Sequence, residues 1–265
     1  MMNIIRGDIY RILRGKGLYI TLVVVLLLNV LILGPRLSVG INFGTTHEDL
    51  GAEMPSVYID GIAAADILFT NMNNIVFFML PIITIAATAI FTNKTVKNDI
   101  SFGVSRTKLY MSKLLLSGAL CAVLVIFYIA TGMLIATIAH GFGGPVPAGF
   151  WLNMVQTVGA QLIALLGVTS MGIFMVFTFK RSSAVVGAYI AFWLVPVMLI
   201  MLLASVIDPR ILRMLDFDLM FALDHLGFFS QLETRTILTA LGAGVFYMLV
   251  PTIGGIALFS RAEIK

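Results

Sequence analysis

Five stretches of this sequence carry no Asp, Glu, Lys or Arg: 17–35, 67–93, 182–207, 236–260 and a 66-residue interval at 114–179. A helix needs about 20 apolar residues to cross the roughly 30 Å hydrocarbon core of a bilayer. Lipid offers no partner to a peptide N–H or C=O, so such stretches cross as helices, which satisfy their own backbone. The longest interval exceeds one crossing and is broken by the turn-forming cluster Gly141-Phe142-Gly143-Gly144-Pro145-Val146-Pro147-Ala148-Gly149. The sequence therefore predicts six transmembrane helices, at 18–34, 74–92, 114–138, 153–179, 183–207 and 237–259. Composition agrees: 60% of the 265 residues are apolar and 11% charged, against about 25% charged in a soluble domain. The chain reads as an all-α membrane protein, one transmembrane domain over 1–265, with no soluble domain left over.

Charge then orients the spans. With the N terminus inside, the inner segments hold 13 cations against Asp8, Asp99 and Glu263, and the outer segments hold Arg36, Arg210, Arg213 and Arg235 against ten acids. Cytoplasmic loops carry the Lys/Arg excess, so both termini are expected in the cytoplasm. Residues 1–16 precede the first span as a long polar leader without a small-residue cleavage site, which reads as an uncleaved helix rather than a signal peptide. Met2, Ile5, Ile9, Ile12 and Leu13 fall on one face of that leader, with Asp8, Arg11 and Arg14 opposite. That pattern predicts an amphipathic helix lying in the membrane interface.

Two connections are unusual. Phe91–Lys113 carries Lys94, Lys97, Arg106, Lys108 and Lys113 against the single acid Asp99. It is the one long polar interval with a positive excess. The 208–236 connection is strongly apolar yet interrupted by Asp208, Asp216, Asp218 and Asp224. A charge at the bilayer centre costs about 2.5–3.5 kcal/mol on insertion scales. A pair of short re-entrant helices in the outer leaflet fits better than a seventh span, with a loop packed on the helix ends as the alternative. In the outer connection 35–73, residues 62–69 are expected to approach the second span as a helix.

Reactive constellations are missing. Gly15-Lys16-Gly17 lacks the rest of a phosphate-binding loop. His47, His140 and His225 lie in three separate loops without ligand spacing, so no metal site is expected. Cys121 has no second cysteine to pair with. The predicted spans contain no Asp, Glu, Lys or Arg, whereas ion-coupled transporters keep such a group near the midplane. Among the polar residues inside spans, Asn29, Asn153, Gln156 and Gln161 are the candidates for lining a pathway, with interhelical hydrogen bonding as the alternative role. Small residues recur every fourth position in Ser183-Gly187-Ala191, Gly118-Ala122 and Ala240-Gly244, which permits close helix approach. Pro81, Pro196 and Pro251 each fall inside a span.

The run Thr95-Val96-Lys97-Asn98, Ile100-Ser101, Gly103-Val104-Ser105-Arg106, Lys108-Leu109-Tyr110 and Ser112-Lys113 resembles the loop between spans two and three of ABC-2-type transporter permeases. Six spans, an amphipathic leader and an apolar loop before the last span extend the likeness along the whole chain. Among that family it is most similar to short bacterial permeases that export, or confer immunity to, antimicrobial and amphipathic peptides. One departure is visible: many relatives carry an acid just before the motif, where this chain has Thr92, Asn93 and Lys94. The resemblance implies a cytoplasmic coupling helix whose residues Lys94, Thr95, Lys97, Asn98, Asp99, Gly103, Ser105, Arg106 and Lys108 meet a separate ABC ATPase subunit. It also implies a second permease copy or paralogue and a bacterial plasma-membrane location. The chain itself is then not an enzyme and holds no cofactor; ATP and Mg belong to the partner, and nucleic acid plays no part. The rival classes are a stand-alone channel or secondary transporter and a structural or sensory membrane subunit. Lipids or hydrophobic drugs are the rival cargoes.

Overall fold

The computed structural model describes residues 2–34, 59–92, 95–227 and 234–261. The described residues are helical and turn structure without a strand. In chain order they form α1 (Met2–Arg14), α2 (Lys16–Leu33), α3 (Gly61–Thr70), α4 (Met72–Ala87), α5 (Ala89–Thr92), α6 (Val96–Ser101), α7 (Arg106–His140), α8 (Phe150–Phe179) and α9 (Ser182–Val206). A 3-10 helix (Pro209–Phe217), α10 (Leu219–Leu226) and α11 (Thr234–Arg261) follow. Six of the segments are long and apolar enough to cross a membrane: Lys16–Leu33, Met72–Thr92, Arg106–His140, Phe150–Phe179, Ser182–Val206 and Ile237–Arg261. This is the architecture of a multi-pass membrane protein, and the number of long apolar helices is the six expected from the charge-free intervals and the turn cluster 141–149.

Local chemistry sets several boundaries. Asp60 caps α3, its Oδ1 accepting from the Ala63 N–H at 2.8 Å, and Asp218 caps α10 through the Met220 N–H at 2.8 Å. Each oxygen takes up one of the orphan donors of a first helical turn. The expected helical approach at 62–69 is α3. Pro81, Pro196 and Pro251 all sit inside continuous helices.

The bundle is built around α8, which packs on α4, α7, α9, α10 and, most extensively, α11. Its Ala164, Leu165, Val168, Ile173 and Val176 are buried. The α9 helix contributes only one face, Val185, Tyr189 and Trp193 together with Ala204, and leaves the rest of its apolar surface uncovered. The Tyr189 hydroxyl donates to the Val76 carbonyl at 2.9 Å. Leu27, Leu31, Ile138, Val155, Met198, Val206 and Ile253 are among many exposed apolar side chains. Exposure of that kind is unfavourable in water and ordinary against acyl chains.

The small-residue stripes divide. Ala240 and Gly244 of α11 are buried against α8, whereas Ser183, Gly187 and Ala191 of α9 face away from the bundle. Gly118 and Ala122 line a cavity of about 90 Å³ with Met79, Cys121, Leu162, Leu165 and Leu166. The connection before α11 begins as two short helices. The 3-10 helix packs on α9, and α10 is wedged against α3, α4, α8 and α11. Residues 228–233 and most of the loop 35–73, with Glu48, Asp49 and Glu53, lie outside the described residues.

Candidate functional site

The chain has a basic pole and an acidic pole. At the basic pole the ends of four helices meet in an aromatic cluster: Phe177 of α8 lies 5.3 Å from Phe91, 4.7 Å from Tyr110 and 4.8 Å from Phe259, ring centre to ring centre. At the acidic pole the Gly61 and Ile62 N–H groups donate to the Gly141 and Phe142 carbonyls, at 3.1 and 3.2 Å. This docks the turn 141–149 on the start of α3. Burial pushes the Asp218 carboxyl above the ordinary carboxylate range, while the N–H groups of Met220 and Phe221 pull it back.

At the basic pole the sequence motif forms a compact device. The Thr95 N–H donates to the Ile90 carbonyl at 3.0 Å, which ties the start of α6 to α5. Val96 is buried and fixes α6 to the bundle. Ile100 and Val104 are half-buried against the same core. After α6 the chain reverses through Gly103, whose φ of +84° is a left-handed conformation that costs glycine little and other residues more. The Phe102, Gly103 and Val104 N–H groups donate to Asn98, Ile100 and Asp99 carbonyls at 3.0, 3.0 and 3.1 Å. Ser105 then caps α7, its Oγ accepting from the Lys108 N–H at 3.3 Å. The loop is thus held by its own hydrogen bonds and by a buried anchor.

What it presents outward is specific. Lys97, Asn98, Ser101, Phe102 and Lys108 are exposed. Phe102 is 86% exposed, a full aromatic ring at the tip of a basic loop. Sequence reasoning passed over Phe102, because a single aromatic inside a polar interval carries no periodic signal. Lys94 lies outside the described residues.

The structure adds to several sequence expectations here. The third span was expected at 114–138, and α7, the helix that contains those residues, begins at Arg106. A charge ends a hydropathy interval; it does not end a helix whose N-cap lies further back. Arg106, read as a partner-facing cation, donates Nη1 to the Phe259 and Ser260 carbonyls at 3.1 and 2.8 Å. A guanidinium on the last carbonyls of α11 is favoured by their unpaired acceptors and by the helix dipole, so Arg106 joins the start of α7 to the end of α11. Lys113, read as a loop cation, is 1% exposed and its Nζ donates to Asp8 Oδ2 at 2.5 Å. Asp8, placed by its helical face with the solvated charges, is buried beside Ile12 on the side of α1 that meets the bundle. Ile9 and Leu13 of the expected apolar face are exposed.

Asp99 of α6 lies in the field of this pair. Its burial raises the carboxyl above the ordinary range, Lys113 opposing and Asp8 reinforcing the shift.

The pathway candidates separate as well. Asn29 is buried, its Nδ2 donating to the Tyr128 carbonyl at 3.0 Å and Thr131 Oγ1 at 2.9 Å. Gln161 is buried, donates Nε2 to the Phe69 carbonyl at 3.1 Å, and leaves Oε1 without a partner among the described residues. Gln156 is exposed and Asn153 half-buried. The four do not converge on one surface. Asn29 joins α2 to α7, so Asn29→Leu is expected to lower stability by about 1 kcal/mol, the scale of interhelical hydrogen bonds in membranes. The drop in midpoint of heat unfolding in detergent checks this; an unchanged midpoint would mean that the α2–α7 hydrogen bonds of Asn29 do not hold the bundle.

Among the described residues no three His, Cys, Asp or Glu side chains group as metal ligands. No family model, no curated protein and no solved structure matches the chain.

Proposed function

We propose that the chain is the membrane-spanning permease subunit of an ATP-driven exporter of the ABC-2 type, with the loop 94–108 docking on a separate ATPase. The observation that carries this reading is the loop itself. It is braced from within by Val96 and its turn hydrogen bonds, it is tied through Arg106 to α11, and it offers Lys97, Phe102 and Lys108 to whatever lies beyond the basic pole. A braced protrusion transmits displacement; a loose one absorbs it. An exposed aromatic ringed by charge is the usual composition of a protein-binding anchor with a steering rim.

The positive-inside rule puts this pole in the cytoplasm, where an ATPase would find it. Cysteines introduced at Asp208 and Arg235 are then both labelled from outside by an impermeant reagent. Labelling of either from the cytoplasmic side would mean that the connection crosses the membrane and that the six-span topology is wrong.

Amphipathic peptides are the proposed cargo. The cavity between α4, α7 and α8 holds about 90 Å³, below the roughly 300–1,000 Å³ of small-molecule sites; the pathway in this reading runs along the seam between two copies or a paralogous pair. The exposed helix faces are apolar with scattered amides such as Gln156, which suits a cargo carrying both characters.

The test is reconstitution of the chain, co-expressed with a candidate ABC ATPase subunit, into proteoliposomes. ATP hydrolysis is expected to rise on addition of cationic amphipathic peptides. A response to lipids or hydrophobic drugs alone would overturn the cargo and keep the permease. Solute movement by the chain alone under an ion gradient, with no ATPase bound, would replace the permease by a stand-alone transporter.

A further inference from the structure

We propose that the outward side of α1 is a binding surface for acidic phospholipid, with Arg6, Tyr10 and Arg14 forming one ridge that takes the lipid phosphates. The surface belongs to this chain alone and needs no ATPase.

The charges of α1 are divided unevenly between its two sides. On the inner side Ile12 is buried against Ala86 and Leu116, with Ile5 packed beside them. Asp8, the one acid of α1, is buried on that side too. It is spent on Lys113 Nζ at 2.5 Å and Arg11 Nη2 at 3.1 Å. Arg11 is drawn inward with it, its Nη2 donating to the Ala86 carbonyl at 3.4 Å. Arg6 and Arg14 stay exposed, and neither has a carboxylate partner among the described residues. Sequestering the acid leaves the outward side of α1 with positive charge only.

That side is ordered. Residues four apart stack on successive turns of a helix, so Arg6, Tyr10 and Arg14 share one ridge. The Arg14 guanidinium lies 4.7 Å from the centre of the Tyr10 ring, a cation–π contact that holds both side chains on the surface. Ile9 and Leu13 share the neighbouring ridge and are 39% and 52% exposed. A cationic ridge beside an apolar one, both uncovered, fits the boundary between headgroups and acyl chains. Tyr19, one turn into α2, marks the same depth. It is exposed, and its hydroxyl donates to the Leu13 carbonyl at 3.0 Å. An apolar ring with a satisfied polar tip is the type of side chain that settles at headgroup level. Lys16, exposed where α1 passes into α2, adds a third cation at that level.

Charge complementarity selects the lipid class. A zwitterionic headgroup brings its own ammonium to each phosphate, whereas an acidic one brings net negative charge to basic segments at the membrane surface. A soluble acidic protein would have to displace the bilayer from Ile9 and Leu13 to reach the same cations.

The full chain in phosphatidylcholine bilayers, with no ATPase present, carries the test. A fluorophore on Gly7→Cys reports from α1, where an added Cβ meets nothing within 4 Å, native Cys121 being buried. Phosphatidylglycerol or phosphatidylcholine bearing a nitroxide high on one acyl chain quenches it on contact. At equal mole fraction the phosphatidylglycerol quencher is expected to be at least about threefold more effective. Arg6→Gln with Arg14→Gln is expected to bring the two quenchers level. Arg6→Lys with Arg14→Lys keeps the charge and is expected to keep most of the preference. Lys180→Gln with Arg181→Gln removes two exposed cations from the same pole and is expected to leave the preference in place. Equal quenching by the two lipids in the chain carrying the label alone would overturn the lipid surface and leave α1 to a soluble partner. A preference that survives Arg6→Gln with Arg14→Gln, or falls equally in the Lys180 and Arg181 variant, would overturn the ridge and reduce the effect to the net charge of the pole. A chain that fails to bind an ATPase leaves these results untouched, so this surface and the proposed docking fail separately.

Discussion

Gly244→Leu is expected to abolish the native bundle, while Gly242→Leu, two residues away on the same helix, leaves it intact. The difference comes from what each side chain would meet. A Cβ on Gly244 would lie 3.0 Å from the Ala164 Cα and 3.1 Å from its nitrogen, which are backbone atoms that cannot rotate aside. Across the same crossing a Cβ on Gly167 would lie 2.9 Å from the Gly244 carbonyl oxygen. The α8 and α11 backbones are therefore in direct contact there, and α8–α11 is the most extensive helix pair in the molecule. Helices in lipid gain little from excluding water and depend on such close packing. Overpacking a core costs about 1–3 kcal/mol when side chains can shift, and here they cannot. Around Gly242 there is open space within 4 Å. Size-exclusion profiles of the two variants in mild detergent check this directly. A monodisperse Gly244→Leu would mean that the α8–α11 crossing does not hold the bundle together.

How far such contacts can be read from sequence depends on what kind of signal they leave. Absence of charge located the six long helices, because exclusion of charge from hydrocarbon is a one-body effect that each residue reports alone. The fourth span, expected at 153–179, falls within the helix Phe150–Phe179, and the fifth, expected at 183–207, falls on the helix Ser182–Val206 but for its last residue. Which helix meets which is a two-body matter. The stripes Ala240-Gly244 and Ser183-Gly187-Ala191 have the same four-residue spacing, yet one is buried on α8 and the other faces outward. Nothing in the spacing distinguishes them.

The basic loop was legible as a place and only partly legible in its parts. Its short helix and turn follow from local residues. Lys113 misled because hydropathy treats a charge as the end of a membrane segment, whereas Asp8, 105 positions away in sequence, neutralises it inside the packed protein. The same blindness placed Asp8 on the solvent face of α1. A helical face tells which residues share a side; it does not tell that a buried cation waits opposite. Arg106 likewise found its acceptors on the far end of the chain, in carbonyls that every helix C-terminus exposes and no sequence pattern marks.

On the docking proposed above, Phe102→Ala is expected to cut peptide-stimulated ATP hydrolysis by the complex with the ATPase at least about 10-fold while leaving the heat stability of the chain unchanged. The ring is 86% exposed, so it contributes little to packing, and truncating an exposed side chain usually changes stability by less than about 0.5 kcal/mol. A ring that enters a pocket on a partner behaves differently. Anchors of that kind cost about 2 kcal/mol or more when truncated, which is roughly a 30-fold weaker complex. Lys97→Glu acts on the rim of the same surface. It is expected to slow association and alter its salt dependence more than it shortens the lifetime of the complex. The ring has one rival destination at this pole, the lipid headgroup layer, where aromatic side chains also settle. The two are separated by measuring ATPase binding in detergent, with no bilayer present. Loss of binding by Phe102→Ala under those conditions places the ring in the partner. Full binding there, with the defect confined to proteoliposomes, would assign Phe102 to the membrane surface and leave the docking role to Lys97 and Lys108.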